Sequence, residues 1–210
     1  MKSIKEITEH TLVIKKSEFI CTLIPLNDEN KINETIGFYK EKYKDATHNC
    51  IAYLVGTKER ANDDGEPSGT AGLSMLNVLK KQELSNIIAI VTRYFGGTLL
   101  GTGGLIRAYT KSTQEGIKES MVIEKCLGVM LSLTCDYTTS GKIQYLTATE
   151  HIPVLDTVYT DNVTFEMIVP VEEVGSVEKK FMEASMGKAV LEKGEETYYA
   201  EIDGKISYDL

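Results

Sequence analysis

Apolar and polar positions along the chain change their period several times, and each change marks an element. Ile4 to Ile14 and Glu18 to Leu26 are rich in β-branched and apolar residues and read as a hairpin closed near Lys15–Ser17. Asn27 or Asp28 is placed to cap a helix reaching about Lys44, with Ile32, Ile36 and Tyr39 or Tyr43 at helical spacing. Cys50 to Val55 is a short apolar strand. The polar run KERANDDGEPSG after it reads as loop, because Asp, Gly and Pro favour turns. From Thr70 to Leu84, Leu73, Leu76 and Leu79 or Leu84 recur on one face, which predicts a helix. Asn86 to Tyr94, NIIAIVTRY, is a nearly continuous apolar run, the pattern of a central strand buried on both faces. Glycines follow, then a helix from Leu105 to Lys118 and a strand from Met121 to Cys126.

The second half has its own rhythm. Leu127 to Tyr137 reads as a strand and Ser140 to Thr149 as a helix. Ile152 to Tyr159 and Val163 to Val169 are strands joined by the turn TDN. Val174 to Met186 is a helix burying Val174, Val177, Phe181 and Met182, and Ala189 to Ile202 is a final extended segment. The order β-α-β-β-α-β is that of the ferredoxin-like split unit, which is self-sufficient. A 210-residue chain has room for two small domains. The expected fold class is therefore α+β, with a mixed α/β domain over 1–126, a ferredoxin-like domain over 127–210 and a boundary near Cys126 to Gly128.

Charge sharpens that division. The net charge is −8. Through Cys126 the chain carries 17 Lys+Arg and 16 Asp+Glu, a net of +1, and from Leu127 onward 6 and 15, a net of −9. Leu84 to Gln114 has no acid at all while holding Arg93, Arg107 and Lys111, a local positive field in an acidic protein. No apolar run approaches the roughly 18 residues of a membrane span, and the first residues form no secretory signal. Cys21, Cys50, Cys126 and Cys135 form no C-x-x-C pair and read as free thiols of a cytoplasmic protein.

Candidate chemistry concentrates on Gly96, Gly97, Gly101, Gly103 and Gly104, between a buried strand and a helix. Backbone amides in that setting bind anions. A P-loop would need Lys and Ser or Thr after the last glycine, where Leu105 and Ile106 stand, and a dinucleotide fingerprint from Gly101 would need a glycine at Ile106. The glycines alone would also serve a tight turn and close helix–sheet packing. Arg93 ends the strand beside Tyr94, and Arg107 and Lys111 share a helix face, offering a phosphate fork and a stacking surface. Asp63, Asp64 and Glu66 stand within four positions. They are readable as ligands of a hard cation, as partners of a basic surface or of Arg93 and Arg107, or as an acidic turn before a helix capped by Ser68 or Thr70. His48 and Cys50, two apart, offer a conceivable dyad of poor geometry. His10 and His151 receive no role.

The segments THNCIAY, DDGEPSGTAG and VTRYFGGTLLGTGGLIRAY, in that order, resemble the signature segments of the IMPACT family, whose bacterial members are the YigZ-like proteins. The resemblance covers the whole chain. It implies an N-terminal domain with the fold of the second domain of a small-subunit ribosomal protein, shared by translocation factors and GHMP-type kinases. It implies a C-terminal domain like the last domain of the translocation elongation factor. Eukaryotic relatives are regulators of translation, acting through a ribosome-associated activator of a general-control kinase; they lack this C-terminal domain. The family brings no agreed catalytic residues, and its shared segments map onto His48, Asp63, Asp64, Glu66, Arg93, Tyr94, the five glycines and Arg107 as a common surface.

The resulting expectation is a binding protein rather than an enzyme, linked to translation regulation. It would contact RNA, the ribosome or a translation factor through 91–112. No catalytic residue, cofactor or metal is assigned, and neither a membrane partner nor DNA sequence specificity is expected. The alternative is an enzyme acting on a phosphorylated small molecule or nucleotide, using the glycine loop with Asp63, Asp64 and Glu66.

Overall fold

In the computed structural model, which describes residues 1–208, the chain divides into two compact units, Met1–Glu124 and one beginning at Lys125. The first unit runs β1 (Lys2–Ile4), β2 (Thr8–Ile14), β3 (Ser17–Pro25), α1 (Ile32–Lys42), β4 (His48–Val55), β5 (Lys58–Asn62), α2 (Gly72–Lys81), β6 (Ile87–Tyr94), α3 (Thr102–Glu119) and β7 (Val122–Glu124). Its main sheet has the order β2-β3-β6-β4-β5 with every pairing antiparallel.

The apolar run of β6 is the centre of that sheet. Ile87, Ala89 and Val91 face α2 and α3 in one core, and Ile88 and Ile90 face α1 in another. The period of two along the strand therefore feeds both layers. On the α2/α3 face the next residue in that alternation is Arg93, so the aliphatic layer ends in a charge.

Several boundaries differ from the sequence expectation, each for a local reason. The first hairpin strand is broken: β1 pairs with β7 in a separate ribbon, and only Thr8–Ile14 pairs with β3. Residues 58–62, expected as loop, form β5, an edge strand closed onto β4 through Gly56, which has φ +54. Their charges suit an exposed edge. α2 is shorter than expected; Leu73 points outward, while Met75, Leu76, Val78 and Leu79 are buried. α3 starts three residues early, so Gly103 and Gly104 lie in its first turn.

The second unit runs β8 (Cys126–Cys135), α4 (Tyr137–Thr149), β9 (Val154–Tyr159), β10 (Val163–Pro170), α5 (Val174–Ala184), β11 (Val190–Ile202) and β12 (Lys205–Tyr208). The sheet order β12-β11-β8-β10-β9 contains the antiparallel ferredoxin-like arrangement, extended by β12. The last strand is an addition to the expected set; Asp203 and Gly204, both at positive φ, make its two-residue hairpin turn. Val174, Val177 and Phe181 of α5 close the core, as the spacing predicts.

Asp136 caps α4, accepting from the Thr139 amide at 2.8 Å and the Thr138 hydroxyl at 2.7 Å. The Thr138 and Thr139 side-chain bonds, with the Thr139 amide, lower its pKa from 3.8 to about 2. A depressed carboxylate stabilises the fold above its unfolded pKa and loses that contribution as pH falls through the folded one. Asp136→Ala should lower the melting temperature at neutral pH, and the gap to wild type should close as pH falls from about 4 towards about 2. Thermal unfolding followed by circular dichroism checks this.

Candidate functional site

Where the α2/α3 face of the main sheet runs out, polar side chains replace aliphatic ones. Register places His48 of β4 opposite Arg93 of β6, and Arg93 opposite Phe19 of β3. Arg93 lies inside the protein, its side chain 6% exposed, with its guanidinium carbon 5.4 and 5.5 Å from the ring centroids of Phe19 and Phe95. Its Nη1 donates to Glu66 Oε1 at 2.6 Å, and its Nη2 reaches Ser17 Oγ at 3.3 Å. Glu66 is 3% exposed and also accepts from the Tyr109 hydroxyl on Oε1, at 2.8 Å.

The three carboxylates of the acidic turn have separate duties. Asp63 accepts from the amides of Gly69, Ala71 and Gly72 at 2.7, 3.0 and 2.8 Å, so it folds the loop and caps α2 in place of Ser68 or Thr70. Asp64 takes Lys40 and the Asn49 amide, each at 2.7 Å. Burial opposes its charge, but those two partners hold its pKa below the ordinary carboxylate value. Among the described residues no group of three metal-capable side chains converges.

His48 is half-buried at the start of β4, with Nδ1 2.8 Å from the Asp64 carbonyl and Nε2 3.9 Å from Glu66 Oε1. Cys50 shares its face but turns to the Asp63 carbonyl (3.0 Å) and the Tyr109 hydroxyl (3.3 Å). Burial pushes its thiol up to about 12, against the Tyr109 bond, so a thiolate nucleophile beside His48 is disfavoured.

The glycine segment supplies the other wall. Gly96 is required by contact: a Cβ there would overlap the backbone of Lys16 and Ser17. Gly97 and Gly101 have φ +79 and +70. Gly101 precedes α3, an 18-residue helix with no side-chain cap and no acid in its first turn. Its amides and dipole present positive character there. Arg107 is exposed and folds back over that turn, its Nη1 3.6 Å from where a Cβ on Gly103 would stand. Lys111 is exposed one turn further on. Tyr94 points to the opposite sheet face, donating to Asp45 at 2.9 Å.

These elements enclose a cleft of about 450 Å³. Of the candidate residues, His48, Glu66, Arg93 and Gly101 line it; Asp63, Asp64, Tyr94, Arg107, Lys111 and the other four glycines do not. Phe95 and Leu99 line it too, 46% and 84% exposed, and the sequence reading passed over both. Their signal is an aromatic and a leucine set among glycines, where no core spacing claims them.

Comparisons with known proteins fit both units. The Impact N-terminal domain matches residues 15–117, and a domain of unknown function, DUF1949, matches 133–188. The IMPACT family member YvyE of Bacillus subtilis is 44% identical over 199 residues, covering 93% of this chain and 92% of that one. YigZ of Escherichia coli is 30% identical over 183 residues, covering 85% and 90%. The IMPACT homologue of Dictyostelium discoideum is 36% identical over 103 residues, covering 45% of this chain and 29% of its own. A crystal structure described as a hypothetical protein superposes with a TM-score of 0.61 at 28% identity, covering 90% of this chain and 95% of that one.

Removing one partner of a buried ion pair strands the other charge. Arg93→Ala should cost about 3–5 kcal/mol. The double change Arg93→Met with Glu66→Leu should recover much of it, because neither charge is then left alone. Urea unfolding of wild type, Arg93→Ala and the double variant checks both expectations.

Proposed function

The chain belongs to the IMPACT family, and from that premise we propose that it acts in translation regulation by binding single-stranded RNA through Val91 to Ser112. One observation carries the reading. A single acid-free segment brings an exposed aromatic ring, Phe95, and the uncapped amino end of α3 to the same cleft. RNA needs both a stacking surface for a base and donors for a phosphate, and single strands can offer the two together.

In this arrangement a base lies against Phe95 and Leu99, and the neighbouring phosphate takes the first amides of α3. Arg107, folded over that turn, and Lys111, four residues on along the same helix, add charge for the phosphates that follow. Arg93 has a different part: its charge is already matched by Glu66, and it serves as the floor beneath Phe95. The acids of the second unit, 15 against 6 bases from Leu127 onward, keep polyanions off that part of the chain.

Binding by phosphate contacts weakens with salt, the logarithmic slope falling by about 0.7 per contact for single strands. Arg107→Ala with Lys111→Ala should therefore flatten the slope of oligonucleotide binding by about 1.4 and weaken it at low salt. Phe95→Ala should cost about 1–3 kcal/mol with the slope unchanged. Anisotropy titrations across a salt series separate the two, and wild-type affinity in the double variant at every salt concentration would overturn the reading.

A further inference from the structure

The cleft contains a feature that phosphate binding does not use. The Asp64 carbonyl oxygen can only accept, so the 2.8 Å contact with His48 puts a proton on Nδ1. In the neutral ring Nε2 is then a bare lone pair. It faces the same cleft as Glu66, 3.9 Å from Oε1. Glu66 Oε1 already accepts from Arg93 and Tyr109, so a ligand hydrogen is its third donor.

This orientation is built rather than incidental. Asp64 has φ +46 and Gly65 φ +88, a turn that wraps over the imidazole. The Asp64 carboxylate is tied to Lys40 and to the Asn49 amide, the residue after His48. A Cβ on Gly65 would sit 3.5 Å from His48 Nδ1, so the turn lies directly against the ring. Asp64 and Lys40 are thus positioning residues for His48.

Two acceptors 3.9 Å apart are matched by one donor atom that carries two hydrogens. An amino nitrogen placed about 2.9 Å from each gives one hydrogen to either side. A carbonyl oxygen in that place leaves His48 Nε2 unpaired and sets its own lone pairs against the Glu66 carboxylate, which keeps only Arg93 and Tyr109 as donors.

Resting on the reading that the cleft holds an RNA base, we propose that His48 Nε2 and Glu66 form an acceptor pair that selects bases bearing an exocyclic amino group over uracil. Cytosine and uracil make the sharpest comparison. They have the same shape and differ where cytosine has an amino group and uracil a carbonyl. The ring N–H of uracil offers a single hydrogen and is flanked by two carbonyl oxygens, so it cannot serve both acceptors.

The test uses the full chain and labelled oligocytidine and oligouridine of equal length, with binding followed by anisotropy. Wild type should bind oligocytidine about tenfold more tightly. His48→Leu removes one acceptor and should bring the two affinities together. His48→Lys puts a donor in its place and should shift the balance towards oligouridine. Both changes fall on a half-buried residue outside the ion pair, and circular dichroism verifies the fold. Equal affinities in wild type, or an undiminished preference in His48→Leu, would overturn the selectivity while leaving RNA binding in place. Absence of binding to either oligonucleotide would overturn both.

Discussion

The ion pair between Glu66 and Arg93 is the constraint on which the first unit's functional end depends. β6 carries an aliphatic layer to its last turn and then places a guanidinium in the same interior position. A buried charge without a partner is untenable, so the loop between β5 and α2 must deliver a carboxylate to it. Ser17 and Tyr109 supply further hydrogen bonds, and the cation lies over the rings of Phe19 and Phe95. Strand, acidic loop and glycine loop are therefore held to one another by a single electrostatic demand, and the cleft is the space left between them.

The acidic loop and the glycine loop reach that arrangement by different means. In the acidic loop the side chains divide the work: Asp63 folds the turn onto the start of α2, Asp64 ties it to Lys40 and the Asn49 amide, and Glu66 neutralises Arg93. In the glycine loop the absence of side chains matters, and for unlike reasons. Gly96 yields to the passing backbone of Lys16, whereas Gly97 and Gly101 turn the chain at positive φ. Gly103 and Gly104 are simply helical. One row of glycines thus hides two separate requirements, close approach and positive φ.

What could be read from the sequence follows from how local each cause is. The double burial of β6, the face of α5 and the split β-α-β-β-α-β order are written in short-range periodicity, and they stand in the structure. β5 was hidden because an edge strand of Lys58, Glu59 and Arg60 looks like a solvated loop until β4 lies beside it. At the site, Arg93 announced itself as a charge ending an apolar run. Its partner stands 27 residues earlier, and no local pattern ties the two. The acid-free stretch was legible, but which of its cations face solvent was settled by packing: Arg107 and Lys111 do, Arg93 does not.

The small ribbon of β1 and β7 has a consequence of its own. It sets Lys2 beside Glu124, so the first unit begins and ends at nearly the same point. A module with adjoining ends can be joined into other polypeptides without opening its sheet or threading its chain. Portability is therefore a property of its architecture. The partial match to the Dictyostelium protein, spanning 29% of that chain, is what a transferable module would leave behind.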